Sequence, residues 1–229
     1  LVKNLSVLFR SAEFTRGAPS LSALPPDEGL EVAFAGRSNA GKSSALNALT
    51  ERKALARTSR TPGRTQHINF FDLHTADPER RLVDLPGYGY AKITQSVRRQ
   101  WEKTMHRYLE TRGSLRGLVL VSDIRHALTE GDQLMLDWCA AADMPVHILL
   151  TKADKLSRGQ VAAARLKVER ELAERWPGAT AQAFSAPKRE GVEAARERIA
   201  AWLEYDISSG QKKTPDKGRI TGAAKNPRY

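Results

Sequence analysis

Gly36-Arg-Ser-Asn-Ala-Gly-Lys-Ser43 lies in the first third of the chain. It fits G-x-x-x-x-G-K-[ST]. The short apolar run Glu31-Val-Ala-Phe-Ala35 precedes it, and Ser44-Ala-Leu-Asn-Ala-Leu49 follows. The first reads as a buried strand and the second as a helix opening, the context a phosphate-binding loop requires. Glycines let the backbone wrap closely around phosphate oxygens with its N–H groups turned inward, and a helix N-terminus adds partial positive charge. Lys42 is expected to reach the β- and γ-phosphates, and the Ser43 hydroxyl to bind Mg²⁺. Gly36, Arg37, Ser38, Asn39, Ala40, Gly41 and Ser44 complete the cradle.

Working outward, Asp84-Leu-Pro-Gly87 follows the apolar strand end Leu82-Val83. The Asp84 carboxylate can hold Mg²⁺ through a water and the Gly87 amide can sense a γ-phosphate, with Leu85 and Pro86 between them. Thr151-Lys-Ala-Asp154 directly follows the apolar run Val146–Leu150. An ionised carboxylate only accepts hydrogen bonds, so Asp154 complements guanine, whose N1–H and N2–H₂ are adjacent donors. Adenine would present a lone pair at N1 instead. The Lys152 stem can lie over the base, beside Ala153. Phe184-Ser185-Ala186 ends a further strand and can supply backbone N–H to guanine O6. Thr65, within Gly63-Arg-Thr-Gln66, can ligate Mg²⁺ only when the γ-phosphate draws its loop inward, which makes that loop a two-state element.

At 229 residues and 41% hydrophobic content, one well-cored domain plus tails is the natural size. The reading divides the chain into a lead-in over 1–29, a nucleotide-binding domain over 30–205 and a basic, mobile tail over 206–229. The lone cysteine, Cys139, excludes an internal disulfide and suits a reducing compartment. It lies in an apolar helix candidate and is expected to be buried and inert. No run approaches 18 apolar residues, so a soluble, cytoplasmic protein that does not enter a membrane is expected, as a monomer. The net charge of +11 is concentrated in segments 51–64, 88–116 and 206–229, whose surpluses are four, five and four. Concentrated basicity suggests a polyanionic partner.

Secondary structure follows from periodicity. His67–Leu73 and Arg80–Asp84 suit an antiparallel hairpin, and Leu5, Val7, Leu8 and Phe9 could dock on the domain. Gln95–Thr111 places Val97, Trp101, Met105 and Tyr108 on one helical face. Leu118–Ser122 and Val146–Leu150 read as parallel strands covered on both faces, and Arg158–Trp176 as a long helix. Strands alternating with helices after a phosphate loop give an α/β, doubly wound, mostly parallel sheet with helices on both faces, a P-loop NTPase of the Ras-like class.

The four motifs, in order across Glu31–Ala186, look like those of a translation-factor-class GTPase. More narrowly, Gly36–Ser43, Thr61-Pro-Gly-Arg-Thr-Gln66 and Asp84-Leu-Pro-Gly-Tyr-Gly-Tyr-Ala91 closely resemble the EngB/YihA/YsxC family of bacterial GTPases. The resemblance implies GTP and GDP as ligands and a role in assembling the large ribosomal subunit. The implied partners are that subunit or its precursor and ribosomal RNA. The family is also associated with cell division and septation. Asn39 resembles the asparagine that holds K⁺ in related hydrophobic-substituted GTPases, so Lys42, Thr65, Gly87 and Asn39 form the expected catalytic set. Tyr88 follows Gly87 where Ras-like enzymes carry a water-orienting Gln, so slow intrinsic hydrolysis is expected. Two rivals remain: a nucleotide-gated RNA- or ribosome-binding module with negligible hydrolysis, and a small-molecule kinase, against which Thr151–Asp154 and the lack of a lid both stand.

Overall fold

The computed structural model describes residues 2–56, 67–89 and 94–206, with the backbone alone for residues 2–4. Gly63, Arg64, Thr65 and Gln66 lie outside the described residues, as does the tail from 207 onward.

In chain order the elements are α1 (Val2–Arg10), β1 (Glu13–Ala18), β2 (Leu30–Gly36), α2 (Lys42–Thr50), β3 (Ile68–Asp72) and β4 (Arg80–Asp84). They continue with α3 (Gln95–Thr111), β5 (Leu115–Asp123), α4 (Glu130–Ala141), β6 (Val146–Thr151), α5 (Arg158–Arg175), β7 (Thr180–Ala183) and α6 (Val192–Trp202). The seven strands form one sheet in the order β1-β3-β4-β2-β5-β6-β7. Only β3 runs against the others, pairing antiparallel with both β1 and β4. The pairs β4–β2, β2–β5, β5–β6 and β6–β7 are parallel.

Every residue of β2 is buried, because the strand has a neighbour on each side and helices over each face. Its alternation splits the core in two. Ala33 and Ala35 face Met105 and Tyr108 of α3, Met135 and Cys139 of α4, and Val168 and Leu172 of α5. Val32 and Phe34 face Leu8 and Phe9 of α1, Leu46 and Leu49 of α2, and Val192 and Ile199 of α6. Burial pushes the Cys139 thiol up to about 12, which leaves it protonated and inert. Among the described residues no helix is long and apolar enough to cross a membrane.

Three readings change. Residues 13–18, expected only as part of the lead-in over 1–29, form an edge strand. Val97, expected on the inner face of α3, is exposed, and so is Val7 on α1, at 67%. Val7 points away from Leu5, Leu8 and Phe9, which are buried, and Val97 lies in the first turn of α3, ahead of the buried Met105, Tyr108 and Leu109.

Candidate functional site

The crossover from β4 to β5 passes over β2, so helices leave the carboxyl ends of β2 and β5 in opposite directions. Ligands of open α/β sheets bind in the crevice formed there. The loop Gly36–Ser43 emerges from β2 at that crevice. Gly41 precedes α2 with φ of 98°, a left-handed conformation that L side chains resist. Asn39 is also left-handed, with φ of 66°. Asparagine tolerates that region better than most residues, so its backbone conformation supplies one reason for Asn39 independent of any ion. Lys42 opens α2, and its ammonium pairs with the Asp84 carboxylate at the end of β4. Both side chains are nearly buried yet open to the crevice, at 12% and 10% exposure.

Thr151 ends β6 opposite Asp123 of β5. Its hydroxyl lies within hydrogen-bonding distance of the Ala40 carbonyl and, at 3.1 Å, of the Ser122 carbonyl. Lys152 donates to the Asn39 carbonyl at 2.7 Å and pairs with Asp123 at 3.0 Å. The two loops expected to hold phosphate and base are thereby fastened to each other. The Ser185 hydroxyl donates to Asp154 Oδ1 at 2.7 Å. That bond, despite the opposing effect of burial, holds the Asp154 carboxyl below its ordinary value and therefore ionised at neutral pH.

The expectation for the Ser185 amide changes. Its N–H donates to the Glu190 carbonyl at 3.1 Å and is already engaged within the chain. Serine acts here through its hydroxyl, by orienting Asp154.

Residues 31–152 match the family described as 50S ribosome-binding GTPase. The probable GTP-binding protein EngB of Hydrogenovibrio crunogenus is 51% identical over 199 residues, which cover 87% of this chain and 92% of that protein. The chain belongs to the EngB family of GTPases. Among solved structures, a probable GTP-binding protein engB superposes with a TM-score of 0.57 at 20% identity, over 77% of this chain and 99% of that one. A GTP-binding protein of Sulfolobus solfataricus in complex with GDP gives 0.55 at 21%, over 76% of this chain and 52% of its own. At such identities these two show the shared fold alone.

Within this EngB-family site, Asp123 and Asp132, which the sequence does not single out, are structural partners of the motifs, and Trp101 and Tyr88 take on contacts that periodicity does not show. Asp123 is held ionised chiefly by Arg125, with Lys152 assisting, and so anchors the Lys152 ammonium. An acidic residue at the carboxyl end of a buried strand was the available signal. Trp101 of α3 donates its indole N–H to the Pro86 carbonyl at 3.3 Å. The Tyr88 hydroxyl donates to the buried Asp132 of α4. The phenol therefore points into the protein between α3 and α4.

Proposed function

We propose that this GTPase is a Mg²⁺-dependent switch that engages the large ribosomal subunit or its precursor in the GTP state. The observation that carries the guanine assignment is the Ser185-oriented, ionised Asp154 on the same sheet edge as Lys42 and Asp84. A carboxylate fixed as a pure acceptor favours a base with two adjacent donors, and matched polar pairs of this kind discriminate by roughly 10⁴–10⁵.

The donor set fits Mg²⁺. The Ser43 hydroxyl and the Asp84 carboxylate are hard oxygen ligands, and Asp84 would act through a water. Among the described residues no group of three or more acidic, histidine or cysteine side chains could hold a metal alone. The nucleotide phosphates would then supply the remaining ligands, the arrangement Mg²⁺ favours in nucleotide sites. When bound, the ion neutralises charge developing on the phosphates. Lys42 can turn from Asp84 to a phosphate oxygen on its flexible stem. Gly87 would report the γ-phosphate through its amide, and Thr65 would join the ion only in the triphosphate state. A K⁺ held by Asn39 would add charge to the transition state, so K⁺ should stimulate hydrolysis over Na⁺.

Slow intrinsic turnover follows from Tyr88, whose hydroxyl is committed to Asp132 and cannot orient a water. The same observation favours the second reading, a nucleotide-gated ribosome- or RNA-binding module with negligible hydrolysis of its own. Support for the ribosomal partner comes from the family description, the EngB relative and the clustered basic charge. Arg98, Lys103 and Arg107 of α3 line a groove of about 990 Å³ that also has Gly87 and Tyr88 in its wall. Basic residues so placed would feel a nucleotide-driven movement. A role in cell division and septation, and a cytoplasmic, monomeric protein, are part of the same proposal.

Co-sedimentation with ribosomal subunits under GDP and under a GTP analogue tests it. Binding should be stronger with the analogue, and reversing Arg60 and Arg64 to Glu should erase that preference. Deleting residues 206–229 should weaken binding equally in both states and lower its salt dependence. Equal binding by the parent under both nucleotides would refute the switch.

A further inference from the structure

Asp132 stands at the third position of α4 and is 1% exposed. Its carboxyl oxygens accept from three donors in three parts of the chain. The Tyr88 hydroxyl donates to Oδ1. The Ser122 hydroxyl of β5 and the Thr129 N–H that precedes α4 both donate to Oδ2, each at 2.9 Å. The Tyr88 ring is also confined. It lies against Trp101 at 5.4 Å between centroids. It also rests on Gly131, where an added Cβ would come within 2.7 Å of the ring.

The backbone of Tyr88 is fastened as well. Ser38 N–H donates to the Tyr88 carbonyl at 2.8 Å, and Tyr88 N–H reaches the Gly36 carbonyl at 3.4 Å. Residue 88 is thus zipped to the start of the phosphate loop on its main chain and bolted to α4 on its side chain. Burial first, and the Asp132 charge second, push the phenol well above its ordinary value, so it remains a donor. The network runs on from Ser122, whose carbonyl is reached by Thr151, to the Ala40 carbonyl of the phosphate loop.

We infer that Asp132 is a positioning residue for γ-phosphate sensing: by latching Tyr88 it holds the adjacent Gly87 amide ready for the triphosphate. The inference rests on the GTPase reading of the site. Asp132 touches no nucleotide in this scheme and acts only through Tyr88. The latch puts a tethered phenol where Ras-like enzymes carry a water-orienting Gln. It also gives α4 a direct hold on the segment that senses the γ-phosphate.

Tyr88→Phe is the sharpest test, because it keeps the ring against Gly131 and Trp101 and removes only the O–H. Affinities of the full chain for GDP and for a non-hydrolysable GTP analogue are measured beside thermal unfolding. The latch predicts an analogue affinity lower on the order of tenfold and GDP affinity within about twofold, since only the triphosphate reaches Gly87. Asp132→Asn combined with Tyr88→Phe should lower the analogue-to-GDP ratio no further than the worse single variant, as expected for one shared interaction. An unchanged or increased ratio in Tyr88→Phe, or losses equal for both nucleotides that track the unfolding temperature, overturns the latch alone. Failure of the parent to bind either nucleotide would overturn the GTPase reading and the latch together.

Discussion

Two clusters of buried charge sit at opposite ends of β2, and they are built differently. At the amino end, Glu31 is fully buried and accepts from Arg112 at 2.7 and 3.0 Å, from Arg81 at 3.3 Å and from Tyr108 at 3.4 Å. The guanidinium groups spend their remaining donors on backbone carbonyls and on peripheral carboxylates, Arg81 pairing with Glu79 and, at 3.3 Å, with Asp72, and Arg112 with Asp27 at 3.4 Å. Arg112 reaches the Pro25 and Pro26 carbonyls at 2.9 and 3.1 Å, and Arg81 reaches the Glu28 carbonyl at 2.9 Å. The cluster is closed. At the carboxyl end, Lys42 meets Asp84, and Asp154 meets Ser185, with carboxylate lone pairs and ammonium hydrogens left over. Forked, rigid arginine suits the first end and a flexible point charge suits the second. Both clusters bury charge, but only the open one is arranged for a ligand.

The largest effect should come from breaking the closed end. Glu31→Ala removes the one fully buried carboxylate that Arg112 and Arg81 share, leaving them Asp27, Glu79 and Asp72 at the periphery, and should cost about 3–5 kcal/mol of stability, read by urea unfolding. The molecules still folded should bind GDP as the parent does. A variant of unchanged stability would show that the cluster is open to water after all.

Lys42→Ala should act in the reverse sense. It should weaken GDP by about 1.5–3 kcal/mol, the range for hydrogen bonds to charged groups, while lowering the urea midpoint far less than Glu31→Ala does. Calorimetric titration with GDP supplies the first number. Stability losses of equal size at the two ends would erase the distinction between them.

The smallest effect is one of pH. His147 of β6 is buried, its ring nitrogens 2.7 Å from the Thr180 hydroxyl and 3.0 Å from the Gln182 amide oxygen. Burial holds its imidazole below the ordinary value of 6.5. The unfolded chain takes up a proton as pH falls through about 6.5 and the folded chain resists it. Its contribution to stability is therefore present above that pH and is lost below it. Unfolding temperatures at about pH 7.5 and about pH 5.5 should differ less in His147→Gln than in the parent. An identical pH dependence would assign the effect to other groups.

The difference between the two ends also explains what could be read from sequence. The open end is legible because its chemistry is local. Gly36–Ser43, Asp84–Gly87 and Thr151–Asp154 each follow a strand of apolar residues, and spacing alone places them on one sheet edge. The closed end draws Glu31, Arg81 and Arg112 together across 50 and 81 positions, and no periodicity announces such a meeting. Tyr88 and Asp132, 44 positions apart, are hidden for the same reason. A local signal existed only for Asp132, whose carboxylate accepts from the Thr129 N–H as the third helical residue of a Thr-x-x-Asp pattern at the start of α4. Strand β1 escaped because Glu13, Phe14, Thr15 and Arg16 are all exposed at the sheet edge and the register shifts between Phe14 and Arg16. Alternation, the signal of a half-buried strand, is absent there. Ser185 was placed at the right strand end, but the division of work between its amide and its hydroxyl depends on Glu190 and Asp154, which only the folded chain brings near.

Titration of Asp154→Asn with GDP and with xanthosine diphosphate tests whether the open end reads guanine through Asp154. The substitution turns one acceptor into a donor, and xanthine carries an oxygen where guanine carries N2–H₂. GDP affinity should fall by on the order of a hundredfold or more while xanthosine diphosphate affinity rises above that of the parent. Parent-like GDP binding by Asp154→Asn would show that Asp154 does not read the base.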